Sequence, residues 1–255
     1  MTHSRRSPRR LCLAAVAALL FASCTYLPTS FTATAGVTVT ESRDAIILLP
    51  ASMRTTGFLF YPGALVDPHA YVPWLSDLAA AGIPVVLAKE PGNLAVLSID
   101  AGLPLRSRVP GVTAWVLGGH SLGGAMAAWS VADHPDAWAG LVLLAAYPSA
   151  SKSLAGWPGA VLSLSASNDG LATPQKVTDT LSLLPPEQIT VTGLGQYSAP
   201  AAGGYAVLHQ ITGGNHAQFA SYGRQDGDGD ATIGADAQHA EMVAFILEFF
   251  QANGW

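Results

Sequence analysis

Short β-branched apolar runs alternate with longer segments of helical periodicity through residues 37–255, and this alternation constrains the fold most strongly. Such alternation predicts an α/β fold, in which a mostly parallel central sheet carries helices on both faces. Strands are expected at 37–40, 45–49, 57–61, 83–88, 114–117, 141–145, 160–165 and 205–211. Helices are expected at 69–81, 121–134, 174–184 and 236–251.

The last of these helices shows one apolar face, which we expect to pack on the sheet. The face is formed by Ala240, Val243, Ala244, Leu247 and Phe250. Half of the chain is hydrophobic and only 11% is charged, which predicts one well-buried domain rather than a disordered chain. In open α/β sheets, functional groups gather in loops beyond the carboxyl ends of the strands. We therefore expect the functional side chains to lie in those loops.

The first 36 residues differ from the rest. Four arginines precede an apolar stretch at 11–22, which is too short to cross a hydrocarbon core of roughly 30 Å. Cys24 follows Leu-Phe-Ala-Ser, which resembles a bacterial lipoprotein cleavage site although Phe21 departs from the usual aliphatic residue. We expect a signal peptide at 1–23 and lipidation of Cys24, with simple secretion or an uncleaved signal anchor as alternatives. Residues 24–36 then indicate a tether to a domain at 37–255.

Charge and cysteine content exclude several functions. Both cysteines lie in the N-terminal segment, so the domain has no disulfide, thiol nucleophile or cysteine-ligated metal. Without the four N-terminal arginines, 8 basic residues stand against 17 acidic ones, a formal charge of −9. Nucleic-acid binding needs a basic face, so no nucleic-acid partner is expected. We also expect no metal or other cofactor, a monomer, and membrane contact only through the lipid.

A glycine-rich turn joins the predicted strand at 114–117 to the helical run that follows it. Gly119, Ser121 and Gly123 form the pattern Gly-x-Ser-x-Gly of a nucleophile elbow. Such a turn strains the serine backbone, and side chains at the two glycines would collide with the neighbouring strand and helix. The serine hydroxyl becomes exposed near a helix N-terminus, where free amides favour developing negative charge. Ser121 is therefore the candidate nucleophile, and an ordinary glycine-rich turn is the alternative.

A serine nucleophile needs a base and an orienting acid, which this type of fold supplies in the chain order Ser, Asp or Glu, His. Asp169 follows the predicted strand at 160–165, although an Asp-Gly turn alone would also explain it. His216 lies in a glycine-rich loop after the last strand and is the candidate base. His120 adjoins the nucleophile but points differently on so sharp a turn, so we expect it to line the site.

The negative charge that forms on a substrate carbonyl needs two amide hydrogens. Leu122, the residue after the nucleophile, is expected to supply one. The other is expected from the turn after the strand at 57–61, where Ala64 is preferred and Leu65 is the alternative. Leu65 and Asn93 are also expected to line the substrate site.

Three aspartates near the end of the chain stand at the spacing of a calcium loop. Asp226, Asp228 and Asp230 would be the first ligands, but such a loop also needs glycine sixth and glutamate twelfth. Ala231 and Ala237 occupy those positions. The sequence therefore favours an exposed acidic turn.

Five stretches resemble the dienelactone-hydrolase-like group of bacterial proteins, alpha/beta hydrolase fold family 5. They are FYPGALV at 60–66, PGNLA at 91–95, GGHSLGGAMA at 118–127, SNDGLATP at 167–174 and GGNHAQF at 213–219. The resemblance implies the α/β-hydrolase fold and a triad of Ser121, Asp169 and His216. Two departures, Glu90 in place of an apolar residue and a long segment at 193–204, are expected at the rim of the site and bear on substrate preference.

These features together predict a serine hydrolase that acts through an acyl-enzyme, with small carboxylic esters as the expected substrates. Only about 13 residues separate the strand at 141–145 from the next one, so no large lid domain is expected and the cleft is predicted to be open. The alternatives are a lactone or amide hydrolase with the same triad, or a non-catalytic surface lipoprotein that retains the fold.

Overall fold

A computed structural model describes residues 25–255 of the chain. The predicted signal peptide at 1–23 and the predicted lipidation site Cys24 lie outside the described residues. The described residues form a nine-stranded sheet in the order β1-β2-β4-β3-β5-β6-β7-β9-β8. Its strands are β1 (Thr38–Glu41), β2 (Ala45–Leu49), β3 (Thr56–Tyr61), β4 (Val85–Ala88), β5 (Ala114–His120), β6 (Gly140–Leu144), β7 (Ala160–Ala166), β8 (Glu187–Val191) and β9 (Tyr205–Ile211).

The sheet is parallel except at one edge, where β2 pairs antiparallel with both β1 and β4. The prediction of a mostly parallel sheet is confirmed. Within residues 25–255, five α-helices accompany it: α1 (Val72–Ala80), α2 (Gly102–Leu105), α3 (Leu122–Asp133), α4 (Pro174–Asp179) and α5 (Ala235–Ala252).

Alternating side chains of the central strands fill two apolar layers. In β3, Phe58 and Phe60 face a layer that contains residues of α1 and α5, whereas Leu59 and Tyr61 face a layer that contains residues of α2 and α3. Because strand side chains alternate between faces, each central strand is buried on both sides. Helices therefore cover both faces, and the carboxyl ends of the parallel strands share one edge.

Between β6 and β7 the chain forms one short 3-10 turn, Ala150–Lys152, and no helical cap. The expectation that no large lid domain interrupts the fold is confirmed.

The sequence does not predict strand β8, and the helix predicted at 174–184 ends at residue 179. β8 is an edge strand whose residues are mostly exposed, so it lacks the apolar pattern used to find strands. The helix α4 ends at Asp179, and a 3-10 turn, Leu181–Leu183, leads to Pro185 and Pro186, which cannot continue a helix.

The helix α5 packs on the sheet as predicted, but through a face that differs in part from the predicted one. Phe250 is buried and Val243 and Leu247 are half-buried against the core, whereas Ala244 is half-buried outside it and Ala240 is exposed. The side of α5 that packs on the sheet carries larger side chains, which bury more apolar surface. The buried residues of α5 are Gln238, Met242, Phe245, Ile246, Phe249 and Phe250.

The described part of the predicted tether, residues 25–36, lies along the domain. The amide of Tyr26 donates to the Leu65 carbonyl at 2.7 Å, and the Tyr26 carbonyl accepts from the amide of Asp67 at 2.9 Å. Further along, Thr29 donates to the carbonyl of Ser221, and the amide of Thr34 donates to Ser76 Oγ at 2.7 Å. Because its polar groups find partners on the domain, the described part of this segment is held against the domain.

Candidate active site

Ser121 lies at the turn between β5 and α3 in a strained conformation. Its φ of 53° and ψ of −122° are rare for a residue with a side chain, and such strain is concentrated at functional sites. Two main-chain hydrogen bonds hold the turn: the amide of Ser121 donates to the Leu144 carbonyl, and the Ser121 carbonyl accepts from the amide of Ala125, both at 3.0 Å. The hydroxyl is thereby fixed at the carboxyl end of β5.

The glycines on either side of Ser121 are required by close main-chain contacts. A Cβ atom at Gly119 would lie 2.5 Å from the carbonyl carbon of Gly123, at the start of α3. A Cβ atom at Gly123 would lie 2.2 Å from the carbonyl oxygen of Pro62, in the turn after β3. The elbow therefore packs closely against the start of α3 and against the end of β3.

Asp169 and His216 meet across two loops that follow β7 and β9. The distance from His216 Nδ1 to Asp169 Oδ2 is 2.8 Å, and both side chains are buried. The other carboxylate oxygen of Asp169 accepts the amides of Leu171 at 2.8 Å and Ala172 at 2.7 Å. The carboxylate is held on one side by the main chain and presents its second oxygen to the imidazole.

The loop that carries His216 is anchored to the terminal helix by Gln238. The side-chain amide of Gln238 accepts from the main-chain amide of Asn215 at 3.1 Å and donates to its carbonyl at 2.9 Å. A Cβ atom at Gly214 would lie 2.4 Å from Gln238 Oε1. The sequence does not predict a buried role for Gln238, because a polar residue near the start of α5 is not part of its apolar face.

Ser121 and His216 line one cavity of about 270 Å³. Its wall is otherwise apolar and made mostly of small residues. The other lining residues are Leu122, Ala125, Ala145, Ala146, Tyr147, Leu171 and Ala172. Of these residues, only Leu122 is predicted from the sequence. The residues that follow β6 and Asp169 are not, because alanine and leucine side chains have no reactive group that would indicate a site. We call this space the catalytic cavity.

The amides of Ala64 and Leu122 donate to no other group within residues 25–255. The amide of Leu65 differs, because it donates to the carbonyl of Asn93 at 2.7 Å. That bond occupies the Leu65 amide, so Ala64 remains the preferred candidate donor, although Ala64 is not among the residues that line the catalytic cavity. Leu65 and Asn93 adopt positive φ angles of 62° and 55°. Neither residue borders the catalytic cavity, so their expected role in lining it is not supported.

His120 lies behind the candidate base rather than in the wall of the catalytic cavity. It is 1% exposed, its ring centroid is 4.6 Å from that of His216, and its Nδ1 is 2.9 Å from the hydroxyl of Tyr71. The prediction that His120 lines the site is therefore corrected: β5 continues through His120 and turns its side chain into the core. Burial lowers the pKa of His120 well below its usual value, and the neighbouring His216 adds to this effect.

Glu90 follows β4 and is 5% exposed. Neither of its carboxylate oxygens has a hydrogen-bond partner among the described residues. Burial raises the pKa of Glu90 to about 8, because the charged form loses its hydration. It borders a separate cavity that it shares with Asn93, not the catalytic cavity.

The long segment at 193–204 also lies away from the rim. The amide of Gly195 donates to Glu248 Oε1 of α5 at 2.7 Å, and Tyr197 lines a cavity with Ala244 and Leu247. The expectation that this segment borders the site is wrong, because the segment packs on the terminal helix.

Within the described range, no group of three or more His, Cys, Asp or Glu side chains is arranged to hold a metal ion. None of the helices described is long and apolar enough to cross a membrane.

The mostly parallel sheet, the helices on both faces and the strained serine after β5 define the α/β-hydrolase class of proteins. The chain belongs to the Alpha/beta hydrolase family, whose model matches residues 57–205 and 198–240. No curated protein matches the chain in sequence.

Several solved structures share the fold at low sequence identity. An alpha/beta hydrolase enzyme, MGS-MChE2, from the metagenome of sediments of the Mar Chica lagoon in Morocco has a TM-score of 0.58 at 15% identity, over 86% of this chain and 100% of its own. A hormone-sensitive lipase from a metagenome library has a TM-score of 0.55 at 16% identity, over 96% of this chain and 99% of its own. Est1E from Butyrivibrio proteoclasticus has a TM-score of 0.55 at 12% identity, over 85% of this chain and 100% of its own. These similarities establish the fold.

Proposed function

We propose that the protein is a serine hydrolase that cleaves small carboxylic esters through an acyl-enzyme. Ser121 would act as nucleophile, His216 as general base and Asp169 as the group that orients the imidazole. One observation carries this proposal: a strained serine at a strand-to-helix elbow shares a cavity with a histidine whose Nδ1 is bound by a buried aspartate.

The proposed reaction has two halves. His216 Nε2 takes the proton of the Ser121 hydroxyl as its oxygen attacks the ester carbonyl, and the amides of Ala64 and Leu122 donate to the resulting oxyanion. Collapse breaks the ester bond, and the alcohol leaves with the proton from His216. Water then attacks the acyl-enzyme by the same route, which releases the acid and restores Ser121. Asp169 remains a carboxylate throughout.

The size and lining of the catalytic cavity favour short acyl groups. A volume of about 270 Å³ lies just below the range of roughly 300–1,000 Å³ that is usual for ligand pockets. Walls of alanine and leucine offer apolar contact but few donors for a polar substituent. We expect the highest kcat/KM with acetate to butyrate esters and a marked loss with decanoate. A lactone or amide substrate would use the same residues, and the ester panel should therefore include both.

The assignment of Ser121 is tested by covalent labelling. A fluorophosphonate probe is expected to label the wild-type protein, and Ser121→Ala should abolish labelling and lower ester turnover by several orders of magnitude. Ser151→Ala, which alters an exposed serine, serves as the control. Labelling that survives in Ser121→Ala would refute the proposed nucleophile. A wild-type protein that takes no label would favour the non-catalytic alternative.

We further propose that the protein is exported, lipidated at Cys24 and held at the outer side of the membrane by that lipid, as a monomer. The support is the arginine-rich start, the short apolar stretch and the small residues before Cys24. Metabolic labelling with an alkynyl palmitate is expected to mark the wild-type protein, and Cys24→Ser should lose the label and leave the membrane fraction. An unlabelled wild-type protein in the culture medium would instead indicate simple secretion.

A further inference from the structure

The segment Gly227, Asp228, Gly229 and Asp230, here called the brace loop, has no part in the chemistry proposed above. The sequence predicted an exposed acidic turn for it, and Asp226 and Asp230 are indeed exposed. Asp228 is half-buried instead and faces two other loops. These are the loop after β7 that carries Asp169 and the loop after β9 that carries His216.

The carboxylate of Asp228 accepts main-chain amides from both loops. Its Oδ1 accepts from Gly170 at 3.1 Å and from His216 at 3.2 Å, and its Oδ2 accepts from Ala217 at 2.8 Å. Oδ1 also accepts the amide of Gly229 at 2.8 Å, which holds the carboxylate in place. One side chain thus bonds the residue after the candidate acid and the main chain of the candidate base itself.

Main-chain carbonyls of the brace loop repeat this pattern. Gly229 accepts from the side-chain amide of Asn215, at 2.8 Å, and Asp230 accepts from that of Asn168, at 2.9 Å. The fit leaves no spare room, because a Cβ atom at Gly229 would lie 2.0 Å from the carbonyl oxygen of Asn168. Each residue that immediately precedes Asp169 or His216 is therefore bonded to the brace loop.

Such an external support is needed because the two loops are rich in glycine. Gly170, Gly213 and Gly214 lie next to or near the paired side chains, and glycine has the largest conformational freedom of any residue. A displacement of about 1 Å from the reactive geometry can cost roughly 100-fold in rate. Bonds from one carboxylate to both loops would limit that displacement.

We propose that Asp228 is a positioning residue, which sets the placement of His216 relative to Asp169 through the main chain of both loops. The inference rests on the proposed serine-hydrolase function. Asp228 touches neither the substrate nor the reacting atoms, so its removal should slow the chemical step and leave ground-state binding unchanged.

The test compares Asp228→Ala and Asp228→Asn with Asp226→Ala and Asp226→Asn, because Asp226 is an exposed aspartate two residues away. We measure kcat and KM on a short p-nitrophenyl ester, the rate of fluorophosphonate labelling, and Tm. Asp228→Ala should lower kcat and the labelling rate by about 10- to 100-fold with KM within about twofold. Asp228→Asn keeps one acceptor oxygen, so it should lose less.

Asp226 variants should match the wild type in all three measurements. If Asp228→Ala does not fold, Asp228→Asn decides, at a temperature well below its Tm. Wild-type rates in every Asp228 variant that folds, or a loss confined to KM, would overturn the positioning role while labelling of the wild type still upheld the hydrolase. A wild-type protein without Ser121-dependent labelling would instead remove the proposed function, on which this inference rests.

Discussion

The two halves of the candidate site are held in different ways. Ser121 and the amide of Leu122 are fixed by regular elements, since β5 ends and α3 begins at the elbow and glycines permit its close contacts. Asp169 and His216 lie in loops whose main-chain amides donate to polar side chains, Gln238 and Asp228 among them. The nucleophile half therefore depends on the stability of the fold, whereas the acid–base half can lose its geometry while the fold persists.

Apart from Ser121→Ala, the largest effect should come from the acid–base half. Asp169→Asn would keep the bonds from Leu171 and Ala172 but present an amide donor to His216 Nδ1. The imidazole would then carry its proton on Nε2, where it cannot accept one from Ser121. We expect kcat to fall roughly 10⁴-fold, as in a comparable triad substitution.

The measurement for Asp169→Asn is steady-state kinetics together with thermal unfolding. Asp136→Asn, at an exposed position, is the control. A large loss of kcat with a small change in Tm is the expected pair of results. A variant of Asp169 that retains more than a tenth of wild-type kcat would remove this residue from the proposed triad.

The next effect belongs to the nucleophile half. Gly123→Ala would place a Cβ atom 2.2 Å from the Pro62 carbonyl oxygen, and rigid main chain on both sides leaves little room for relief. We expect the free energy of unfolding to fall by about 3 kcal/mol or more and activity to fall with it. Urea unfolding measures the change.

The matched control for Gly123→Ala is Gly156→Ala, where an added Cβ atom would meet nothing within 4 Å. The comparison between the halves fails if Gly123→Ala keeps wild-type stability, or if it loses activity alone as Asp169→Asn is expected to do.

The smallest effect concerns Glu90, whose carbonyl accepts from the amide of Asn93, the residue that in turn accepts from Leu65. The Glu90 pKa of about 8 in the folded protein exceeds the ordinary value of 4.5, so the unfolded chain loses this proton first as pH rises. The contribution of Glu90 to stability is therefore lost between about pH 4.5 and pH 8. Glu90→Met should remove this loss and raise the free energy of unfolding at pH 8.5 by about 1–3 kcal/mol.

Urea unfolding at pH 5 and pH 8.5 tests this difference, with Glu90→Gln as the neutral polar control. Both variants should show a weaker decline in stability with pH than the wild type, and Glu90→Met should be the more stable of the two. An equal decline in all three proteins would show that Glu90 does not titrate as described.

The nucleophile half was the more predictable from sequence, for physical reasons. Gly119, Ser121 and Gly123 stand in one short stretch, and each follows from a local steric requirement. The ends of the parallel strands also predicted where Asp169 and His216 would lie, and the structure brings those two side chains to 2.8 Å. A short sequence pattern is sufficient to predict a site residue when a strand or helix determines where that residue lies.

Contacts between distant loops were not predictable in the same way. Asp228 resembled a solvated aspartate because its amide partners at Gly170 and Ala217 carry no sequence signal. The position of His120 was predicted wrongly because β5 continues three residues beyond the apolar run at 114–117. The larger side chains of α5 widen the face that packs on the sheet beyond the predicted apolar row, of which Val243, Leu247 and Phe250 contact the core.

The pairing of Tyr26 with residues 65–67 has a mechanical consequence. Two residues of extended chain span at most about 7 Å, so the lipid proposed on Cys24 would be attached within that distance of Tyr26, which bonds to the turn that carries Ala64. A domain anchored in this way would be held close to the membrane surface at this turn.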